Sequence, residues 1–235
     1  MSRKILSQAL SETISGQDLG DARVFFENEL REHERHLAAL PSSASEVDSA
    51  NVKLEIARAH LGLGDKDKCW ESSLPLLSIF IEGESFQQAV EVCELLYLSE
   101  QDDSIISLAH GCWLAVTYPV DPALTVDMLS YIVDETPDNS DGAAVASVAA
   151  LYLVELRAEG KEKDNLTFLA KQLVALVAKR HRNIEDEESI EIWIEILELN
   201  NLDELFTRLS KVIDAIVANN WWFDREELRA KLPVN

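Results

Sequence analysis

Apolar residues return every three to four positions along nearly the whole chain, in stretches separated by short polar breaks. That period stacks successive apolar side chains on one face of an α-helix, whereas a half-buried strand would alternate. The pattern predicts helices near residues 3–14, 19–40, 45–62, 66–82, 86–99, 103–118, 122–134, 141–158, 164–181, 187–199, 203–218 and 225–231. Some starts carry capping chemistry. Ser85 precedes Phe86 with Gln88 at the reciprocal capping-box position, and Asp121-Pro122 sets a capping carboxylate before a proline suited to the first turn. In "NNWWFDREELRAKLPVN", Asp224 is the N-cap, Glu227 the capping-box partner, and Phe223 and Leu228 the staple around it. This predicts a short terminal helix covering the last helical hairpin.

"ESIEIWIEILEL", Glu188 to Leu199, fits two periods. It alternates apolar and acidic residues as a strand would, yet Ile190, Trp193, Ile194 and Leu197 also fall at i, i+3, i+4, i+7. A lone strand among helices has nothing to pair with, so a helix is predicted, with Glu188, Glu191, Glu195 and Glu198 along one acidic side.

Composition agrees with an all-α fold. Only 8 Gly and 6 Pro in 235 residues fit few, short connections, and 47% hydrophobic content is enough to fill a large core. Charge narrows the partners. With 43 acidic and 21 basic residues the net charge is −22, a field that repels nucleic-acid backbones and anionic membrane surfaces and favours a basic partner. The same charge would also serve as a solubilising surface. The start, "MSRKILSQALSETISG", has no apolar run after its basic residues, and "GAAVASVAALYLV" falls short of the ~20 residues that span a bilayer. A soluble, cytoplasmic protein is expected. Cys69, Cys93 and Cys112, without a close CxxC pair, are expected as reduced, buried thiols.

The helix, break, helix unit in "LEIARAHLGLGDKDKCWESSLPLL" returns loosely at Gly160 and at softer breaks near residues 99–101 and 134–135, around the period of ~34 residues of helix-turn-helix repeats. On these residues the chain resembles a degenerate tetratricopeptide-repeat-like α-solenoid. In "ARAHLGLGD", Ala57 stands at that family's small-residue position, His60 at its aromatic position, and Gly64-Asp65 at the inter-helix turn. Cys69 stands for the small residue early in the second helix, while Leu153 and Asn165 depart from the pattern around Gly160. The resemblance implies a right-handed stack of antiparallel helical hairpins over residues 45–181, preceded by N-terminal helices at 1–44 and followed by C-terminal helices and a cap at 182–235. It also implies a protein-binding role. The family's clamp for peptide carboxylates uses basic and amide side chains, a set not placed in this sequence.

Candidate chemistry is sparse. Glu29, Glu32, His33 and His36 fall at i, i+3, i+4, i+7, so one helix face would present two carboxylates and two imidazoles to a metal; neither HExxH nor paired Glu-x-x-His helices are present, and Leu30 and Leu37 put His33 beside the buried stripe. No nucleophile elbow, P-loop or dinucleotide glycine pattern occurs. Cys112 and His110, two apart on a helix, point to different sides. The close acidic pairs, among them 185–188, fit helix initiation. Trp221-Trp222-Phe223 cannot all face one core direction, so at least one is expected to be partly exposed or to meet a neighbouring element or chain.

These readings converge on a non-enzymatic interaction module without cofactor, a scaffold or chaperone-like adaptor holding a basic or amphipathic segment of a partner protein. Glu188, Glu191, Trp193, Glu195, Glu198, Trp221 and Trp222 are the expected contact residues, by charge and cation–π contact. A homodimer through the aromatics, an all-α metal protein or enzyme using the Glu29/Glu32/His33/His36 face, and an acidic decoy mimicking nucleic acid are the alternatives.

Overall fold

A computed structural model describes residues 16–232. The helix expected at 3–14 lies outside them. The described helices are α1 (Gly16–Ala39), α2 (Glu46–Gly62), α3 (Lys66–Ser73), α4 (Leu76–Glu82), α5 (Phe86–Leu98), α6 (Ser104–Thr117), α7 (Pro122–Glu135), α8 (Asp141–Arg157), α9 (Gly160–Arg182), α10 (Glu187–Ile196), α11 (Leu202–Val217) and α12 (Arg225–Ala230). No strand occurs among the described residues, which are all-α as the periodicity predicts.

Helix ends follow local chemistry. Ser45 and Asp48 form a reciprocal capping box at α2, and the Asp121 carboxylate accepts from the Ala123 and Leu124 N–H groups at 2.7 and 3.1 Å. The box expected at Ser85 does not form. Ser85 stands at φ −91°, ψ 63°, away from the extended conformation of a capping residue, and its hydroxyl instead donates to the Gly83 carbonyl at 3.3 Å. After α2, Gly64 takes φ +79°, Asp65 N–H bonds to His60 O and Gly64 N–H to Leu61 O, both at 2.9 Å. This left-handed exit satisfies the last carbonyls and is available to glycine without cost. The helix expected over 66–82 breaks at Leu74-Pro75, since proline has no N–H for the helical ladder and restricts the residue before it. Gly160, expected as a break, is the first residue of α9 at φ +58°.

Neighbouring helices pack pairwise: α1 on α2, α2 on α3 and α4, α5 on α6, α7 on α8, and α8 on α9. The helices α2, α5, α7 and α9 also touch in succession, and α11 packs on both α6 and α8. Side chains tie successive pairs at regular sequence distances. Arg58 bonds Glu91 at a separation of 33 residues; Lys66–Glu100, Gln101–Asp67 and the Asp121 N–H to Gln87 each link at 34; Tyr131 donates to Glu94 at 37 and Tyr97 to Glu135 at 38.

Burial accounts for the composition of α8. Ala143, Ala144, Ala146, Ala149 and Ala150 are all buried because α7, α9 and α11 surround the helix, and small side chains let the backbones approach. Gly111 does the same in α6. A Cβ there would meet Cys93 Cβ at 2.7 Å and collide with Met128 Cε. By contrast α11 is one-sided, burying Leu205, Leu209, Ile213 and Val217 on a single face. Three of the few cations close helix ends: Arg157 donates to Ala115 O and Val116 O at 2.6 and 2.8 Å, Arg180 to Val133 O at 2.6 Å, and Arg208 to Leu197 O.

Candidate functional site

The acidic segment forms helix α10 from its own cap. Asp186 accepts from the Ser189 N–H at 2.9 Å, which holds its carboxyl below the usual range, and Glu187 and Glu188 follow in the positive first turn. Just before it, an exposed Lys179–Glu185 pair at 2.7 Å lowers the carboxyl and raises the ammonium. The helix ends where Glu198 takes φ +56°, with Glu198 N–H on Glu195 O and Leu199 N–H on Ile194 O. Glu198 therefore lies in the turn and is not part of the helical row.

Trp193 does not share the surface with these carboxylates. It is 4% exposed, and its indole N–H donates to His181 Nδ1 at 3.1 Å. An acceptor at Nδ1 leaves the imidazole proton on Nε2, which donates to Asp141 Oδ1 at 3.1 Å. Asp141 Oδ2 in turn accepts from Arg208, whose other nitrogen caps the Leu197 carbonyl. This chain locks α10 to α9, α8 and α11. A partner cannot reach Trp193, so its expected contact role is corrected to an internal anchor.

What α10 presents outward is different. With Trp193 inside, Ile192 and Ile196 are 49% and 73% exposed, beside the exposed carboxylates of Glu188, Glu191 and Glu195. These isoleucines are exposed apolar residues that the sequence reading passed over. Their signal was present: they are the apolar residues left over once Ile190, Trp193, Ile194 and Leu197 are assigned to the buried stripe. Helix α9 leaves a second apolar remainder, Phe168, Leu169 and Leu176.

Trp221, Trp222 and Phe223 turn back onto α6. The Trp222 N–H donates to His110 Nε2 at 2.9 Å, the Trp222 ring stacks on the imidazole at 4.7 Å, and Trp221 and Phe223 meet it edge-on. Trp70 of α3 meets Trp222 edge-on, and Tyr118 donates to Leu228 O at 3.1 Å. Arg225 lies 3.8 Å over the Trp221 ring, so the cation–π partner of this tryptophan comes from its own segment. The terminal helix α12 accordingly sits against α4 and the end of α6, and its Arg225 also bonds Asp214 of α11 at 2.7 Å. Between α4 and α12 a cleft of about 320 Å³ is lined by Leu77, Ile81, Phe223 and Leu228.

His110 itself is fully buried. Its Nδ1 faces Ile106 O at 2.6 Å while Nε2 accepts, so the ring is held neutral, and burial lowers its pKa to about 4. Burial likewise raises the thiols of Cys69, Cys93 and Cys112, which suits packing and opposes nucleophilic use. On α1, His33 pairs with Glu29 at 3.5 Å, and His33 and His36 border a shallow groove with Glu55 and Glu91. Among the described residues no group of three or more His, Cys, Asp or Glu is placed to hold a metal ion, so Glu29, Glu32, His33 and His36 do not form a centre. No described helix is long and apolar enough to cross a membrane. Comparison of the chain with protein-family profiles, with curated proteins and with solved structures finds no match.

Proposed function

We propose that the protein is a non-enzymatic interaction module, a tetratricopeptide-like right-handed stack of helical hairpins that holds a basic, amphipathic segment of a partner protein on the outer face of α10. The side-chain links at separations of 33 to 38 residues support the repeat arrangement, since stacked hairpins of one length bring corresponding positions together at one period. The observation that carries the binding role is the exposed Ile192–Ile196 pair flanked by Glu188, Glu191 and Glu195. Isoleucines one helical turn apart offer anchors to an apolar stripe, and the carboxylates beside them attract lysine or arginine on its flanks.

Fluorescence anisotropy of a labelled Lys/Leu amphipathic helical peptide, titrated with the full chain, tests this reading. Wild type should bind with a salt-weakened affinity, while Ile196→Ser and Glu188→Lys/Glu195→Lys should each lose about tenfold or more. A peptide of equal charge with its leucines replaced by serine should not bind. Equal binding of both peptides, or of all three proteins, would contradict the proposal.

A further inference from the structure

The hairpin α9–α10 carries two exposed stripes of opposite charge. On α9, Lys161, Phe168, Leu169, Gln172, Leu176 and Lys179, the last also paired with Glu185, fall at i, i+7, i+8, i+11, i+15 and i+18, a single helical face turned away from the buried Leu166, Leu173 and Val177. Phe168 is 61% exposed, Leu169 and Leu176 are also exposed, and the stripe is bordered by Lys171, Arg182 and Asp164 on one side and by Glu162 on the other. Helix α9 thus concentrates cations in a chain whose net charge is −22. On α10, Glu188, Ile192, Glu195 and Ile196 fall at i, i+4, i+7 and i+8.

Resting on the binding role proposed for α10, we infer that its occupant is a second copy of this chain, whose α9 stripe is the basic, amphipathic segment. Phe168, Leu169 and Leu176 supply the apolar part of one stripe and Ile192 and Ile196 that of the other, with lysines on the first and glutamates on the second. Like stripes repel and unlike stripes attract, so the charges reject an α9-on-α9 or α10-on-α10 arrangement. Both stripes belong to one chain, and a two-fold axis would form the same α9–α10 contact twice.

Size sets the strength. From Lys161 to Lys179, α9 spans roughly 27 Å. A strip of that length and about one helix width, joined by the shorter face of α10, falls below the ~800 Å² per partner of a standard interface. Self-association is therefore reversible, with a dissociation constant on the order of micromolar or weaker. The α9 face would compete with any other basic segment for α10, so assembly and partner binding would be mutually exclusive.

Sedimentation velocity of the full chain over a concentration series, at low and high salt, reads this directly. Wild type should pass from monomer to dimer, and high salt should weaken the transition. Lys161→Glu/Lys171→Glu alone, and Glu188→Lys/Glu195→Lys alone, should each weaken it by about tenfold or more, while an equimolar mixture of the two should restore association through one swapped contact. Circular dichroism of each variant checks that the helices are retained. A wild type that stays monomeric to about 1 mM overturns the inference whatever the variants do. So does a mixture no stronger than its components. The Lys/Leu peptide titration separates the two claims: a monomer that binds peptide sinks the dimer alone, and a chain that does neither sinks both.

Discussion

The backbone N–H of Trp222 donates to Nε2 of His110, 112 residues earlier in the chain. One imidazole thereby fixes the entry of the terminal segment, with Trp221 and Phe223 edge-on around it and the opposite nitrogen committed to Ile106 O. Only a neutral ring can serve, because a protonated Nε2 would face the Trp222 donor with a second proton.

That requirement fixes a pH dependence. The folded pKa of His110 is lowered to about 4, so in the window between its ordinary value of 6.5 and about 4 the unfolded chain binds a proton that the folded chain does not. This contribution is present above 6.5 and is lost as pH falls toward 4, by ~2 kcal/mol at pH 5. Burial lowers His60 as well, and acts in the same direction. Urea denaturation at pH 7 and pH 5 should show the loss, and His110→Gln should remove most of the difference. An unchanged pH dependence in the variant would refute the lock.

Gly111 makes a second prediction. A methyl group there collides with Cys93 Cβ, which is rooted in α5 and cannot rotate away, as well as with the more yielding Met128 Cε. Gly111→Ala should destabilise by about 1–3 kcal/mol despite the better helix propensity of alanine. Gly20→Ala, where nothing stands within 4 Å, is the control and should be neutral or stabilising by up to ~1 kcal/mol. Thermal denaturation of the pair decides whether α5 and α6 pack this closely.

Replacing Trp193 with Phe keeps an aromatic side chain, though a smaller one, and removes the donor. His181 Nδ1 is then left without its partner in a buried position, at a cost of about 1–3 kcal/mol. Since Trp193 is the buried residue of α10, amide exchange should accelerate in α10 more than in α8. Uniform acceleration would argue against a local anchor.

The thiols provide a third check on packing. Cys93 and Cys112 are fully buried with their pKa values raised by desolvation, and Cys69 is buried beside the Leu95 carbonyl. Alkylation by iodoacetamide at pH 8 should be negligible in the folded protein and complete in urea. Rapid labelling of any one thiol in the native state would contradict its placement.

The sequence made the all-α class legible because a helical face repeats its apolar residues locally, and the N-caps at Asp121 and Asp224 need only neighbours two or three positions away. The return of Trp221–Phe223 to His110 was not legible. It depends on a contact across 112 residues, and nothing in "NNWWFD" says which helix it meets. The site was partly legible for a related reason. Periodicity correctly put Trp193 among the apolar positions of α10, but only the His181–Asp141 connection shows that the indole is an anchor, leaving Ile192 and Ile196 outside.

Ile δ1-methyl NMR of the full chain titrated with the Lys/Leu peptide tests the central claim most directly, because it reports on the proposed anchors themselves. The account predicts that Ile192 and Ile196 shift with increasing peptide while the buried Ile132 and Ile213 hold still. Shifts confined to other isoleucines, or none at saturating peptide, would show that the outer face of α10 is not the binding surface.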